Sequence, residues 1–369
     1  MLIPILAILV LAAPRGQSVG HPNPNSTFES LSLQAAQARD EKRLDEALSL
    51  YKTALALKPD WQAGWWNAGS IAYDLDSYTE CASDFSRLAA LKPDLAPAWT
   101  YEGMCEYRLR EYDAALHSLT QVQHLQFKEE PDLSCAAMLH LALLLTKLGD
   151  PERAIVLLFE LSSIQGKKPE VIVAAGIAGL KKQWIPPEVP QPEQDKVFKL
   201  GDAMATVMQR DATGAMEKFE TAVRDYPQEP EIHYRFGAFL LEEDPDRGIQ
   251  ELKKTLELEP DHIPARVALA RIYLKREDPQ AALPYAEQAV KLGPEDFNTH
   301  VALGQVLLAT QDASGAAREL ESGVRLSPES PAAHYSLATA YARLGRKQDA
   351  AREREEFERL RRLADSGAP

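Results

Sequence analysis

One interval governs this chain. A small residue opening a short apolar helical pattern stands at Ala47, Cys81 and Ala115, each 34 residues after the last. The beat returns at Ala215, Gly248, Ala282, Ala316 and Ala350, in steps of 33, 34, 34 and 34. A period of about 34 residues is the signature of stacked helix pairs, none of which can bury its apolar face alone. The spacing therefore predicts an all-α chain that grows in one dimension, with no single central core.

Three further markers keep the same step. Prolines close units at Pro59, Pro93, Pro227, Pro260, Pro294 and Pro328. A Gly or Ala falls in the first helix of each unit, at Gly69, Gly103, Ala142, Ala203, Gly237, Ala270, Gly304 and Ala338. A large apolar residue follows the second helix's small one by four, as Tyr51, Phe85, Leu119, Leu158, Phe219 and Leu252. A spacing of four puts both on one helix face. The small residue allows helix axes to approach to about 8–10 Å, and the larger neighbour fills the space beside it.

The unit Trp65-Trp66-Asn67-Ala68-Gly69, with Cys81, Phe85 and Pro93, and the next one with Trp99, Gly103 and Ala115, resemble the tetratricopeptide repeat family. The resemblance covers residues 28–365 and implies a right-handed α-solenoid of about nine helix-turn-helix repeats in two stacks. The expected organisation is a signal peptide over 1–20, an N-terminal stack over 28–168, a lone helix and Pro-rich connector over 169–195, and a C-terminal stack over 196–365. The connector follows from irregularity. Ala115 to Ala154 spans 39 residues, with the closing proline replaced near Phe127, and Ala154 to Ala215 spans 61. The excess holds a helical pattern, Glu170–Lys182, and then Trp184-Ile185-Pro186-Pro187-Glu188-Val189-Pro190-Gln191-Pro192. Prolines at this density exclude an α-helix, since each lacks a donor and restricts the residue before it. A passive spacer and a functional hinge, with Trp184 as a pin, both remain open. The last unit runs into Arg354–Leu363, where Phe357, Leu360 and Leu363 recur at helical spacing among Arg and Glu, as a polar terminal cap requires.

Charge narrows the partners. The net charge is −14, spread as 17 basic and 25 acidic residues through Asp195 and 24 and 30 after it. Neither half carries the basic patch that nucleic acid requires, and an anionic membrane surface is disfavoured on the same ground. The run Leu2–Ala13 is too short to span a bilayer and suits a signal-peptide core, with cleavage near Ser18 or Gly20. This predicts an extracytoplasmic location, periplasmic or secreted, with an uncleaved N-terminal anchor or a mis-assigned start as alternatives. No stable membrane span is expected after processing. Of three cysteines, Cys81 occupies the small-residue slot and reads as a buried thiol, while a Cys105–Cys135 bridge stays open. Asn25-Ser26-Thr27 matches a glycosylation acceptor, but Ser26 with Glu29 fits a helix-start capping box better.

Nothing in the chain has the spacing of a catalytic motif. His233, His300 and His334 share the slot held by Trp65 and Trp99 in other units. Equivalent slots of stacked units lie about 10 Å apart, whereas metal ligands crowd within about 2 Å of their ion, so these read as packing residues. Met204, Met208 and Met216 read as core by their helical spacing. No metal, no cofactor and no enzymatic activity are expected.

The resemblance implies a concave groove lined by first helices. Carried over residue by residue, it selects Trp66, Ser70, Tyr73 and Asp74, then Thr100, Met104, Tyr107 and Arg108, then Leu139, Leu143 and Lys147. In the C-terminal stack it selects Tyr234, Val267, Arg271, Lys275, Val301, Gln305, Tyr335 and Arg343. The carboxylate-gripping set of chaperone-binding members maps to Ser32, Ala36, Asn67, Pro97 and Tyr101, of which only Asn67 agrees. The expectation is a non-catalytic scaffold that holds a protein or peptide segment in its groove. The alternative is a regulatory or substrate-recruiting subunit of an enzyme on a separate chain.

Overall fold

The computed structural model describes residues 27–123, 125 and 131–365. The expected signal peptide, the glycosylation acceptor Asn25, Ser26 and Phe127 lie outside them. Every regular element among the described residues is helical, and contacts divide the chain into two units that meet in sequence between Val189 and Pro190.

The first unit holds four hairpins and an unpaired helix. The hairpins are α1 (Phe28–Asp40) with α2 (Leu44–Leu57), α3 (Gln62–Asp74) with α4 (Tyr78–Leu91), α5 (Ala96–Leu109) with α6 (Tyr112–Val122), and α7 (Pro131–Lys147) with α8 (Pro151–Gln165). The unpaired α9 (Pro169–Gly179) packs on α7 and α8. It stops earlier than the expected Lys182, because Lys181 adopts a left-handed conformation (φ 53°) and the Lys182 N–H turns back to the Ile177 carbonyl. Two short 3₁₀ turns follow, Pro186–Glu188 and Gln191–Glu193, so the proline-rich segment has local turns but no α-helix. The second unit holds five hairpins: α10 (Gln194–Met208) with α11 (Ala212–Asp225), α12 (Pro230–Glu243) with α13 (Pro245–Leu258), α14 (Ile263–Lys275) with α15 (Pro279–Leu292), α16 (Phe297–Ala309) with α17 (Ala313–Leu326), and α18 (Pro331–Arg343) with α19 (Lys347–Asp365).

The markers acquire physical causes. A Cβ on Gly69 would stand 2.7 Å from the Phe85 ring, one on Gly103 2.6 Å from Leu119 Cγ, and one on Gly304 2.4 Å from Leu320 Cγ. Glycine is therefore demanded by the large side chain of the partner helix. Within most hairpins the tight turn is made by one left-handed residue: Lys42, Asp76, Arg110, Gly149, Arg210, Glu277, Gln311 or Gly345. The α12–α13 turn dispenses with it. Asp244 ends one helix and caps the next, and this missing residue is the origin of the single 33-residue step. Second helices are capped at their N-termini by Asp150, Asp211, Asp244, Asp278 and Asp312, whose carboxylates accept a backbone N–H three residues on. Each such cap is worth about 1 kcal/mol. At the chain's first helix the cap is Thr27, whose Oγ1 accepts from Ser30 N at 3.3 Å, in place of the expected Ser26.

Cysteine pairing differs from both readings of the sequence. Cys81 of α4 and Cys105 of α5 form a disulfide, and Cys135 of α7 is the buried free thiol. The small-residue slot of one second helix faces the following first helix, which brings the two Cα atoms to 6.1 Å, within bridging reach.

Candidate functional site

The selected residues of the first unit lie on the first helices of its hairpins, where α5 packs on α7 and α7 on α9. On α3, Trp66 stands edge-on to Phe85 (5.6 Å) and to Tyr101 (5.7 Å). Phe85 stacks on Tyr101 at 4.9 Å, and Tyr73 meets Tyr101 edge-on at 5.6 Å and Tyr78 at 5.9 Å. Tyr101 of α5 is thus the hub that joins Trp66, Tyr73 and Phe85. Aromatic pairs in these arrangements contribute about 0.5–1.5 kcal/mol beyond their burial, so the wall is rigid before anything binds. The disulfide crosses between the same two helices, α4 and α5, that supply Phe85 and Tyr101.

The selected residues fare unequally. Trp66 and Tyr73 are half-buried, while Asp74 and Arg108 are exposed. Arg108 lies over the Tyr78 ring at 4.7 Å and donates to its hydroxyl at 2.5 Å. Burial, then the hydrogen bond with Asp76, pushes the Tyr78 phenol up to about 12. Partial burial also pushes the Asp74 acid upward. Tyr107 packs edge-on against His140 at 4.9 Å, and burial holds that imidazole below its ordinary value. Six residues are corrected: Thr100, Leu143, Val267 and Val301 are buried by their helix neighbours, and so are Met104 and Ser70. Met104 is 4% exposed and belongs to the same buried cluster as Phe85 and Tyr101. Ser70 is 7% exposed, since α3 turns this position toward its neighbours, and its hydroxyl has no hydrogen-bond partner among the described residues. Asn67, the one match to a carboxylate grip, is engaged internally: its Oδ1 accepts from Arg39 at 2.6 Å and its Nδ2 donates to the Ala63 carbonyl at 2.6 Å.

In the second unit the selected residues stand on separate helices, each engaged by its own neighbours. The Tyr234 ring of α12 lies 4.7 Å from that of His262. Arg271 of α14 donates to Asn298 Oδ1 at 3.3 Å. Tyr335 of α18 is 59% exposed, with Phe357 of α19 beside it at 5.4 Å. Met204 and Met208 are buried. His233, His300 and His334 each place Nε2 on the carbonyl of the closing proline, Pro227, Pro294 or Pro328, at 2.8–3.1 Å. Each places Nδ1 2.6–2.7 Å from a carboxylate of the second helix, Glu251, Glu319 or Glu353. Both nitrogens are engaged within one hairpin, as packing residues require.

The sequence reading missed Tyr101 as the hub, Tyr78 as the seat of Arg108, and Glu188, which reaches Lys147 from the proline-rich segment. Tyr101 appeared there only as a mismatch to the carboxylate grip. Its place one unit on from Phe85 was the available signal.

Two family models described as tetratricopeptide repeat match the chain, one over residues 267–331 and 301–356 and the other over 239–282. Among solved structures, "MamA RS-1 ArsTM double mutant" is 23% identical, with a TM-score of 0.42, over 46% of this chain and 97% of that one. "MamA 41-end from Desulfovibrio magneticus RS-1" is 22% identical, with a TM-score of 0.40, over 47% of this chain and 97% of that one. None of the curated proteins compared with the chain matches it.

Proposed function

This chain is a tetratricopeptide repeat protein, a protein-interaction scaffold, and from that premise we propose that it grips an extended protein segment in the groove of its first unit, without catalysis and outside the cytoplasm. The observation that carries the reading is the half-buried pair Trp66 and Tyr73, braced from behind by the buried Tyr101 and Phe85, with the buried Ser70 hydroxyl, unpartnered among the described residues, one turn from both. Tyr and Trp are preferred binding anchors because they offer large contact area with little rotamer freedom to lose. A buried donor without a partner gains a hydrogen bond when a ligand backbone supplies an acceptor. Arg108 at one end and Asp74 beside the wall give the segment a direction. The Cys81–Cys105 disulfide supports an oxidising compartment, since such bonds persist in exported proteins and are rare in the cytosol.

The test is a photo-crosslinking amino acid at Trp66, compared with one at Arg87 on a second helix. The groove position should capture a defined partner, and capture from an unmodified neighbouring position should fall about tenfold in Tyr73→Ala. Equal capture from both positions, or capture indifferent to Tyr73→Ala, would refute the groove assignment.

A further inference from the structure

The proline-rich segment folds back on the first unit. Lys147, the last residue of α7, donates to Glu188 Oε2 at 2.6 Å, and the Ile185 N–H reaches the same oxygen at 3.3 Å. Lys147 also lies 5.5 Å from the centre of the Tyr112 ring at the start of α6, and Tyr112 meets Tyr107 at 6.1 Å. Ile185 and Val189 are buried, and Gln183 passes close to Gly149 in the α7–α8 turn. The backbone is extended at Ile185 (φ −107°, ψ 160°) and at Val189 (φ −63°, ψ 116°). The segment therefore runs along the hairpin turns beside the groove, its carboxylate in a corner made by Tyr107, Tyr112 and Lys147.

The corner recognises that carboxylate. Burial pushes the Glu188 acid upward, but the Lys147 hydrogen bond, the Ile185 N–H and the charges of Lys147 and Arg110 outweigh it and leave the acid below its ordinary value. The Tyr107 phenol is pushed up by burial first, then by Tyr112 and by Glu188 itself. A lysine held on an aromatic face, an acid fixed at the end of the 3₁₀ turn Pro186–Glu188 and buried aliphatic residues on either side of that turn make a corner that holds a proline-started acidic turn. Tyr107 belongs to the groove residues, so the occupant borders the region where a partner segment would end.

We propose that the Tyr107–Tyr112–Lys147 corner is a receptor for an acidic side chain presented on a tight, proline-started turn, that Ile185–Val189 is its resident occupant, and that a partner segment of the same chemistry displaces it. This deepens the groove reading and rests on it only for the partner's role; the corner's chemistry stands on the intramolecular contact.

The experiment uses the full chain and a fluorescent peptide of residues 183–190, with a second peptide carrying Gln in place of Glu188. Ile185→Asp with Glu188→Arg expels the occupant and leaves the corner intact. The peptide should bind this variant at least about tenfold tighter than the unaltered chain, the Gln peptide should lose about tenfold, and adding Lys147→Glu should abolish binding. Equal binding to released and unaltered chains, or indifference to the Gln replacement, overturns the proposal. Should the released variant fail to fold, trypsin cleavage after Lys181 and Lys182 decides. Cleavage should accelerate in Lys147→Glu and return toward the original rate in Lys147→Glu with Glu188→Lys, and no recovery overturns the proposal. The crosslinking at Trp66 does not use this corner, so either reading can fail alone.

Discussion

Glu102 offers a quantitative test of how the first unit is held together. It lies on α5, 6% exposed, with a hydrogen bond to Ser86 and one carboxylate oxygen without a partner among the described residues. Burial, with a smaller contribution from the charge of Glu106, pushes its acid from 4.5 to about 7. The sign follows from proton binding. Below about pH 4.5 the carboxyl is protonated in folded and unfolded chains alike, and burial costs little. Between 4.5 and 7 the folded chain holds its proton while the unfolded chain loses it, so stability falls as pH rises. Above about pH 7 the folded chain carries the full cost of a buried charge, about 3 kcal/mol at 1.36 kcal/mol per tenfold change. Glu102→Gln keeps the shape and the capacity to bond Ser86 while removing the charge. Urea unfolding should find variant and parent within about 0.5 kcal/mol near pH 4, and the variant more stable by up to about 3 kcal/mol near pH 8. Titrations of groups that do not interact with Glu102 cancel in the difference, and the Glu106 charge adds only the smaller part. A gap independent of pH, or a parent that gains on the variant as pH rises, would refute the reasoning.

Gly304→Ala places a methyl group 2.4 Å from Leu320 Cγ; it should destabilise by about 1–3 kcal/mol in urea despite alanine's better helix propensity. His334→Trp and His334→Phe both give up Glu353, but only Trp keeps a donor for the Pro328 carbonyl; Phe should be the less stable of the two by about 1 kcal/mol in thermal unfolding. Cys81→Ser with Cys105→Ser removes the only bridge among the described residues and should cost about 2–4 kcal/mol. Iodoacetamide under denaturing conditions should label one thiol before reduction and three after, and three before reduction would refute the bridge.

The repeat was legible because it is written in local spacing. Ala47 and Tyr51, or Gly103 and its neighbours, repeat a contact within one hairpin, and a contact that recurs every 34 residues announces itself in a single sequence. By the same logic the resemblance selected Trp66 and Tyr73, which the fold leaves half-buried. What escaped was non-local or one of a kind. The Cys81–Cys105 bridge joins the second helix of one hairpin to the first of the next, a relation that spacing alone could not separate from other pairings of three cysteines. Met104 shares a register position with Ser70, and both are buried, because register cannot report how much of a position the neighbouring side chains cover. Glu188 reads as one acid among prolines until the fold brings Lys147 to it across some forty residues of chain.

The slot held in turn by Trp65, Trp99, His233, His300 and His334 shows what the repeat conserves physically. The Trp65 and Trp99 indoles donate to the carbonyls of Pro59 and Pro93 at 2.8 and 2.9 Å, as the imidazoles do to Pro227, Pro294 and Pro328. Arg266 does the same to Pro260 at 2.5 Å. Three side chains that differ in size, charge and aromaticity meet one requirement, an N–H for the carbonyl that closes the preceding helix pair. A buried carbonyl without a donor costs about 1–3 kcal/mol, comparable with what a single aromatic contact contributes, so the donor is the constraint and the ring is free to vary. That freedom separates the two units. Trp at this slot has a single N–H, which the proline carbonyl takes, and the Trp65 ring lies 5.9 Å from the Lys52 ammonium. Histidine at the same slot draws in Glu251, Glu319 and Glu353, which braces three of the second unit's five hairpins with a polar pair. One repeat thus carries indole donors at this slot in the first unit and, in three hairpins of the second, imidazole donors each paired with a carboxylate. The difference rests on which donor answers the same proline.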